Sequence, residues 1–178
     1  MAARPLPDRE YINQALDYDH HTGEFRWKER PLEHFVNARG QWQWNAKWAG
    51  RFAGCLNRDG YSLIRLRSSM VMAHRLAWLL TYGEPVPSEI DHRDGNRSNN
   101  RIDNIRAATR ADNLANNRTR RDSTTGVKGV YPMRGKFQAY IRRHKQRYYL
   151  GIFDTLEEAS AARREAAERL HGEFARHS

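Results

Sequence analysis

The residues best suited to chemistry lie in one stretch, EIDHRDGNRSNNRIDNIRAATRADNLANN. Asp91 and His92 are adjacent, and Asn104 and Asn113 follow in an Asn/Arg-rich loop and a short helical segment. A carboxylate and an amide oxygen are hard ligands suited to Mg2+ or Mn2+. Two protein donors leave positions for water and a phosphate, and such an ion polarises the phosphate and stabilises a departing 3′ oxygen. On a strand, adjacent side chains point to opposite faces. His92 is then poorly placed to share an ion with Asp91 and well placed to activate a water. Its ordinary pKa leaves it neutral near pH 7. Arg93, Arg97, Arg101 and Arg106 surround the set as candidate phosphate contacts, some of them solvated. The chemistry implied is phosphodiester hydrolysis on one divalent ion. A bland reading makes Asp91 and Asn104 turn formers and His92 a surface histidine. It suits a lone Asp-His pair better than this spacing among arginines, although DGNRSNN is also the composition of an ordinary polar loop. His74 reads equally as a structural residue or as a neighbour of the site.

The flanking patterns supply the elements that must position these groups. Residues 10–20 place Ile12, Ala15 and Leu16 at helical spacing, and a turn at Thr22-Gly23 leads into a strand. Trp42, Trp44 and Trp48 are expected to cover a small core or edge. Asp59-Gly60 is a hairpin signal between alternating residues, with Ile64 and Leu66 on one face and Tyr61, Leu63 and Arg65 on the other. Met72–Tyr82 predicts a buried helix with the stripe Met72, Leu76, Leu79, Leu80, ended by Gly83 and the prolines beyond it. Ile90 seats a strand from whose end Asp91 and His92 emerge, and Ile102 and Ile105 anchor a returning strand. Thr109 with Asp112 opens a helix from about Arg110 to Arg118. The order is strand, loop, strand, helix.

Arg118–Thr125 reads as a charged linker. Three short strands follow, at Val127–Tyr131, Lys136–Arg142 and Arg147–Phe153, with turns at 133–135 and 143–146. Thr155 and Glu158 form a capping-box pattern for a last helix with Leu156, Ala159, Ala162/Arg163, Ala166 and Leu170 along one side. Period two places Phe137, Ala139 and Ile141 with Tyr148, Leu150 and Ile152 on the face that receives this helix. Lys136, Gln138, Tyr140 and Arg142, with Arg147, Tyr149 and Gly151, share the other.

Charge distribution marks the same module. Of a net charge of +10, the stretch Arg118–Phe153 holds ten Lys/Arg against one acid, Asp122, and the rest of the chain is nearly balanced. Clustering of this kind is the footprint of a polyanion-binding surface. The single cysteine, Cys55, excludes an intrachain disulfide framework and a Cys-rich zinc cluster, and is expected to be small and buried. No stretch approaches the roughly 20 apolar residues that span a bilayer. The first residues lack a signal-peptide apolar region, so no membrane partner and a cytoplasmic location are expected.

The DHRDGNRSNNRIDNIR stretch and the helix after it resemble the HNH (ββα-metal, His-Me finger) endonucleases, particularly those of phages and mobile introns. The upstream segments LDYDHHTGEFRWK and AHRLAWLLTYGE resemble that group as well. His92 precedes Asn104 by twelve residues, and Asn113 follows after nine. Position by position, the resemblance implies that His92 is the general base and that Asn104 braces the loop to orient it. Asp91 and Asn113 then hold the metal. Asn113 stands where the family name has a histidine, which favours Mg2+ or Mn2+ over zinc. Residues 123–176 resemble the plant ethylene-response-factor (apetala-type) DNA-binding domain, through GVKGVYPMRGKFQAYIR and RYYLGIFDTLEEASAARREAAERLHGEFAR. That resemblance implies a three-stranded antiparallel sheet read into the major groove, with Lys128, Tyr131, Arg134, Tyr140, Arg142, Arg147 and Tyr149 touching DNA.

The expectation is an α+β protein with an N-terminal region at 1–68, an HNH nuclease domain at 69–118 and a sheet-plus-helix DNA reader at 119–178. It would nick double-stranded DNA with Mg2+ or Mn2+ as a monomer, and a dimer or a second event would be needed to cut both strands. Two rivals are a DNA-binding regulator without catalysis and an RNA-directed nuclease. The second is disfavoured because duplex RNA has a deep, narrow major groove.

Overall fold

The computed structural model describes residues 6–116, 123–143 and 146–175. The helix end expected at Arg118, linker residues 118–122 and turn residues 144–145 lie outside them. The architecture is mixed α+β, built of small sheets and helices. It divides into two compact units, Met1–Arg106 and Ala107–Ser178.

In the first unit, Asp8 caps α1 (Arg9–Ala15) by accepting a 2.7 Å bond from the Tyr11 N–H. β1 (Leu16–Asp19) and β2 (Glu24–Trp27) form the hairpin expected around Thr22-Gly23. The turn is pressed against the loop that carries the candidate site. A Cβ on Gly23, whose φ is +77°, would lie 2.5 Å from the Arg101 backbone nitrogen. Nearby, the Tyr18 hydroxyl donates to the Asn100 carbonyl at 2.8 Å.

The Trp tract forms a helix, α2 (Ala38–Trp48), capped by Asn37. Trp44 packs edge-on against Trp27 at 5.1 Å, whereas Trp42 points to solvent. Trp44 and Trp48, one turn apart, line a cleft of about 920 Å3 with Arg30 and Tyr11.

β3 (Cys55–Leu56), β4 (Ser62–Leu66) and β5 (Ser69–Met72) make an antiparallel sheet with Ile64, Leu66 and Val71 inward. The strand β5 was not expected from the sequence. Cys55 is exposed rather than buried, because its two-residue strand lies at the sheet edge. α3 (Ala73–Tyr82) buries Ala73, His74, Leu76, Ala77 and Leu79. Met72 is exposed and Leu80 only partly covered, so the buried stripe is shifted from the expected one. One core joins Ile12, Leu16, Phe25 and Ile64 with Leu76, Leu79, Ile90 and Ile105. It runs across the boundary expected at residue 68. Each such Leu or Ile contributes about 1.5–3 kcal/mol on burial. β6 (Glu89–His92) rises from this core and pairs with β7 (Ile105–Ala108).

In the second unit, α4 (Arg110–Asn116) opens with Thr109 and Asp112 exchanging bonds, as their spacing predicts. β8 (Val130–Met133), β9 (Lys136–Arg143) and β10 (Gln146–Phe153) form an antiparallel sheet in the order β10-β9-β8. The β8–β9 turn has positive φ at both Arg134 (50°) and Gly135 (80°), as a tight two-residue hairpin requires. α5 (Leu156–His171), with the capping box Thr155/Glu158 in place, lays Ala159, Ala166 and Ala167 among Val130, Ala139 and Ile141.

A register shift between Tyr149 and Gly151 corrects the expected pattern of β10. Tyr149 pairs with Tyr140, but Gly151 pairs with Ala139 and Ile152 with Gln138. The extra residue reverses the alternation. Ile152 therefore turns outward, 46% exposed, and Phe153 turns inward beside Phe137.

The contrast between two turn glycines tests the contact of the first hairpin with the site loop. Gly60 has a similar φ, +83°, with nothing within 4 Å of an added Cβ. Gly60→Ala is expected to cost about 1–2 kcal/mol for left-handed backbone alone. Gly23→Ala should lower the urea midpoint clearly further, because it adds the clash with the Asn100–Arg101 backbone.

Candidate active site

Asp91 and His92 end β6 and are both buried, at 8% and 3% exposure. Their partners differ, as adjacent strand positions require. Asp91 Oδ2 accepts from Arg106 Nε at 3.0 Å and Nη2 at 2.8 Å, across the β6–β7 pair. Arg106 is itself 6% exposed, so of the four arginines it is an internal partner of Asp91 and not a solvent-facing phosphate contact. Arg101 pairs with Asp103 at 2.9 Å. Arg97 donates to the Asp59 carbonyl at 3.0 Å and covers the Tyr61 ring.

His92 sits among rings and an amide. His74 meets it edge-on, 5.2 Å between centroids at 85°, and Tyr61 lies 6.0 Å away. Its Nε2 is 3.4 Å from Asn100 Oδ1. Burial pushes the His92 pKa below the ordinary histidine value, against the raising effects of the Asn100 bond and the Asp94 and Asp91 carboxylates. A neutral ring near pH 7 is the form a base requires.

Asn104 acts on the loop. Its Oδ1 accepts from the Asp94 N–H at 3.1 Å, and its Nδ2 donates to Asp94 Oδ1 at 3.0 Å and to the Asn99 carbonyl at 2.8 Å. Its own carbonyl accepts from the Arg93 N–H at 2.8 Å. Asp94 is the hub of this web and also accepts from the Asn96 N–H and the Asn99 amide. Burial alone would raise its pKa, but the bonds from Asn99, Asn96 and Asn104 outweigh it and hold the carboxyl below its usual range.

Sequence reasoning left His74 undecided and did not single out Tyr61, Asn100 or Asp94. Asn100 had one visible signal, its place in the repeated asparagines of NRSNN. Among the described residues no three His, Cys, Asp or Glu side chains converge as a metal centre. The donors named from sequence are a carboxylate held in place by Arg106 and an amide, both hard oxygen ligands that fit Mg2+ or Mn2+. Asn113 lies on α4, half-buried, in the second unit.

In that unit, Tyr131, Tyr140 and Tyr149 form a row across the three strands, with centroids 6.3 and 5.3 Å apart. The Arg147 guanidinium lies 3.5 Å over the Tyr140 ring and 5.8 Å from Tyr131. Tyr131, Arg134, Arg142, Arg147 and Tyr149 are exposed, and Tyr140 is half-buried. Lys128 departs from this group, since its ammonium donates to the Ala115 carbonyl of α4 at 2.8 Å.

Comparison with known proteins follows the same stretch of chain. Residues 71–115 match the family described as HNH endonuclease. The chain is 35% identical over 107 residues to Protein 3.8 of Escherichia phage T7, an alignment that covers 58% of this chain and 87% of that protein. No helix among the described residues is long and apolar enough to cross a membrane.

Burial beside His92 and Arg75 gives His74 a folded-state pKa of about 3, with burial the largest cause. Between pH 6.5 and about 3 the unfolded chain then binds a proton at His74 that the folded chain does not, so stability falls as pH falls. The contribution is a slope of up to about 1.4 kcal/mol per pH unit. Urea unfolding from pH 7.5 to 4.5 should show a shallower decline for His74→Gln than for the natural protein.

Proposed function

The chain belongs to one family with Protein 3.8 of Escherichia phage T7 and carries an HNH endonuclease match at residues 71–115, and we propose that it hydrolyses phosphodiester bonds of double-stranded DNA with Mg2+ or Mn2+, nicking one strand per event. The observation that carries this reading is the buried Asp91-His92 pair, with each side chain held by a different set of partners. His92, neutral in its buried setting, takes a proton from the attacking water. Asn104 keeps the loop around that ring closed through Asp94 and Asn99. Asp91 and Asn113 are the oxygen donors assigned to the cation. When bound, a divalent cation supplies charge stabilisation at the phosphate and the departing 3′ oxygen. The products are a 5′-phosphate and a 3′-hydroxyl.

The basic sheet supplies affinity and register as an ethylene-response-factor-type reader. Arg134, Arg142 and Arg147 would pair with phosphates or guanine edges, and the tyrosine row would contact sugars and base methyls. Lys128 is assigned a supporting contact near the same surface. Its bond to Ala115 makes it the weakest member of the set.

Supercoiled plasmid tests the catalytic half. Nicked circles should form with Mg2+ or Mn2+ and not with EDTA, and His92→Ala should lower the rate by about 10²–10⁴-fold. Asp91→Ala and Asn113→Ala should each lose metal-dependent cleavage. An intact plasmid under every ion, with normal DNA binding, would hand the protein to the rival reading of a regulator without catalysis.

Filter binding of short duplexes across a salt series tests the sheet. Binding should fall steeply with salt, and Arg147→Ala should weaken it and reduce the logarithmic salt slope by about one.

A further inference from the structure

We infer that Arg163 is the centre of a phosphate-binding site at the seam of α5, β8 and α4, with Arg143 and His171 as its further donors. The site lies on the helix-facing side of the basic sheet, away from the tyrosine row. It stands without the nuclease reading above, and only its use on DNA draws on that reading.

Arg163 occupies a place where α5 otherwise buries alanine. Ala159, Ala166 and Ala167 pack on the sheet, and Arg163 among them is only 7% exposed. Among the described residues its Nε has no hydrogen-bond partner. Burial lowers its pKa, with no carboxylate opposing the fall. A charge taken out of water without a partner is among the least favourable groups a core can hold. An apolar side chain of similar length would fill the place without that penalty. An anion bonded to the guanidinium removes it.

Backbone and side-chain contacts locate the seam. A Cβ on Gly129, just before β8, would lie 3.2 Å from Arg163 Nε and would run into the Tyr140 carbonyl. Lys128, the residue before it, donates to the Ala115 carbonyl of α4. The 3-10 turn Gly172–Phe174 that follows α5 packs against the same helix. Ile141 of β9 clusters with Ala166, Ala167 and Leu170. Arg143 stands two residues beyond Ile141 and so on the same helix-facing side, and His171 follows Leu170. The His171 pKa is lowered first by burial and then by Arg163, Arg143 and Lys128, with Asp112 acting the other way. The local field is positive.

Phosphate is the anion that this set fits. A planar guanidinium forms paired bonds to phosphate oxygens. A tetrahedral anion keeps further oxygens for Arg143 and for an imidazole N–H. Because α4 also carries Asn113, a nucleic-acid phosphate held here would lie on the flank of that helix. It would add a backbone contact separate from the reading face of the sheet.

Thermal unfolding of the full chain tests the site in a sodium phosphate series, with pH constant and ionic strength balanced by sodium chloride. The Tm of the natural protein should climb with phosphate, as binding to the folded state requires. Arg163→Met should lose the phosphate-specific rise, and Arg143→Ala should reduce it. In phosphate-free buffer Arg163→Met should unfold at the same temperature or higher, since it removes an unpaired buried charge. Filter binding of a short duplex across sodium chloride then separates the sources. For a DNA backbone phosphate, Arg163→Met lowers the logarithmic salt slope by about one. For free phosphate that slope is unchanged while the Tm response is lost. Equal phosphate responses in the natural and Arg163→Met proteins, with equal salt slopes, overturn the site. So does a folded Arg163→Met protein with a clearly lower Tm in phosphate-free buffer, because the guanidinium would then have its partner within the chain. If Arg163→Met does not fold, Arg143→Ala, at an exposed position, decides: an undiminished phosphate response there overturns the site.

Discussion

The pairing of Asp91 with Arg106 across β6 and β7 is the constraint on which the rest of the first unit depends. Both side chains are less than a tenth exposed, so each has given up water that a charged group gives up only at a cost of several kcal/mol. Only a close partner of opposite charge offsets that cost, and the two-donor contact at 2.8 and 3.0 Å provides one. The pair also locks register. A slip of one residue between β6 and β7 would turn Arg106 to the other face and leave a buried carboxylate alone. Because His92 is the next residue, the same lock decides which way its ring points. The cost of burying Asp91 and the placement of the base are thus one structural decision.

Around that lock the chain uses polar contacts where a larger protein would use more apolar core. The loop after β6 closes on Asp94 and Asn104, each bonded more than once. It is then clamped from outside by the first hairpin, through the Tyr18 hydroxyl and the close approach at Gly23. The N-terminal segment is in this way part of the scaffold of the site. The shared core of Ile12, Leu16, Ile64, Leu76 and Ile90 is the apolar side of the same arrangement.

In the second unit a single irregularity governs the exposed surface. The bulge in β10 keeps Tyr149 in line with Tyr140 while turning Ile152 out and Phe153 in. Phe153 then joins Phe137 in the cluster that holds Ala159 of α5, and the tyrosine row beneath Arg147 survives on the opposite face. A bulge of this type increases local twist.

The sequence by itself determined what depends on near neighbours. The caps at Thr109 and Thr155, the hairpin turns at Thr22-Gly23, Asp59-Gly60 and Arg134-Gly135, and the inward Ile64 and Leu66 follow from residue types a few positions apart. So does the adjacency of Asp91 and His92, with their opposed directions on a strand. Tertiary structure alone decided what depends on distant partners: that Arg106 faces inward and not toward a phosphate, that Asn100 and not Asn104 meets the His92 ring, that Cys55 lies exposed on a short edge strand, and that Ile152 turns outward. The physical reason is common to all four. Charge pairing, amide orientation, edge position and bulged register are properties of contacts between segments, and spacing along one segment carries no record of which group will arrive from another.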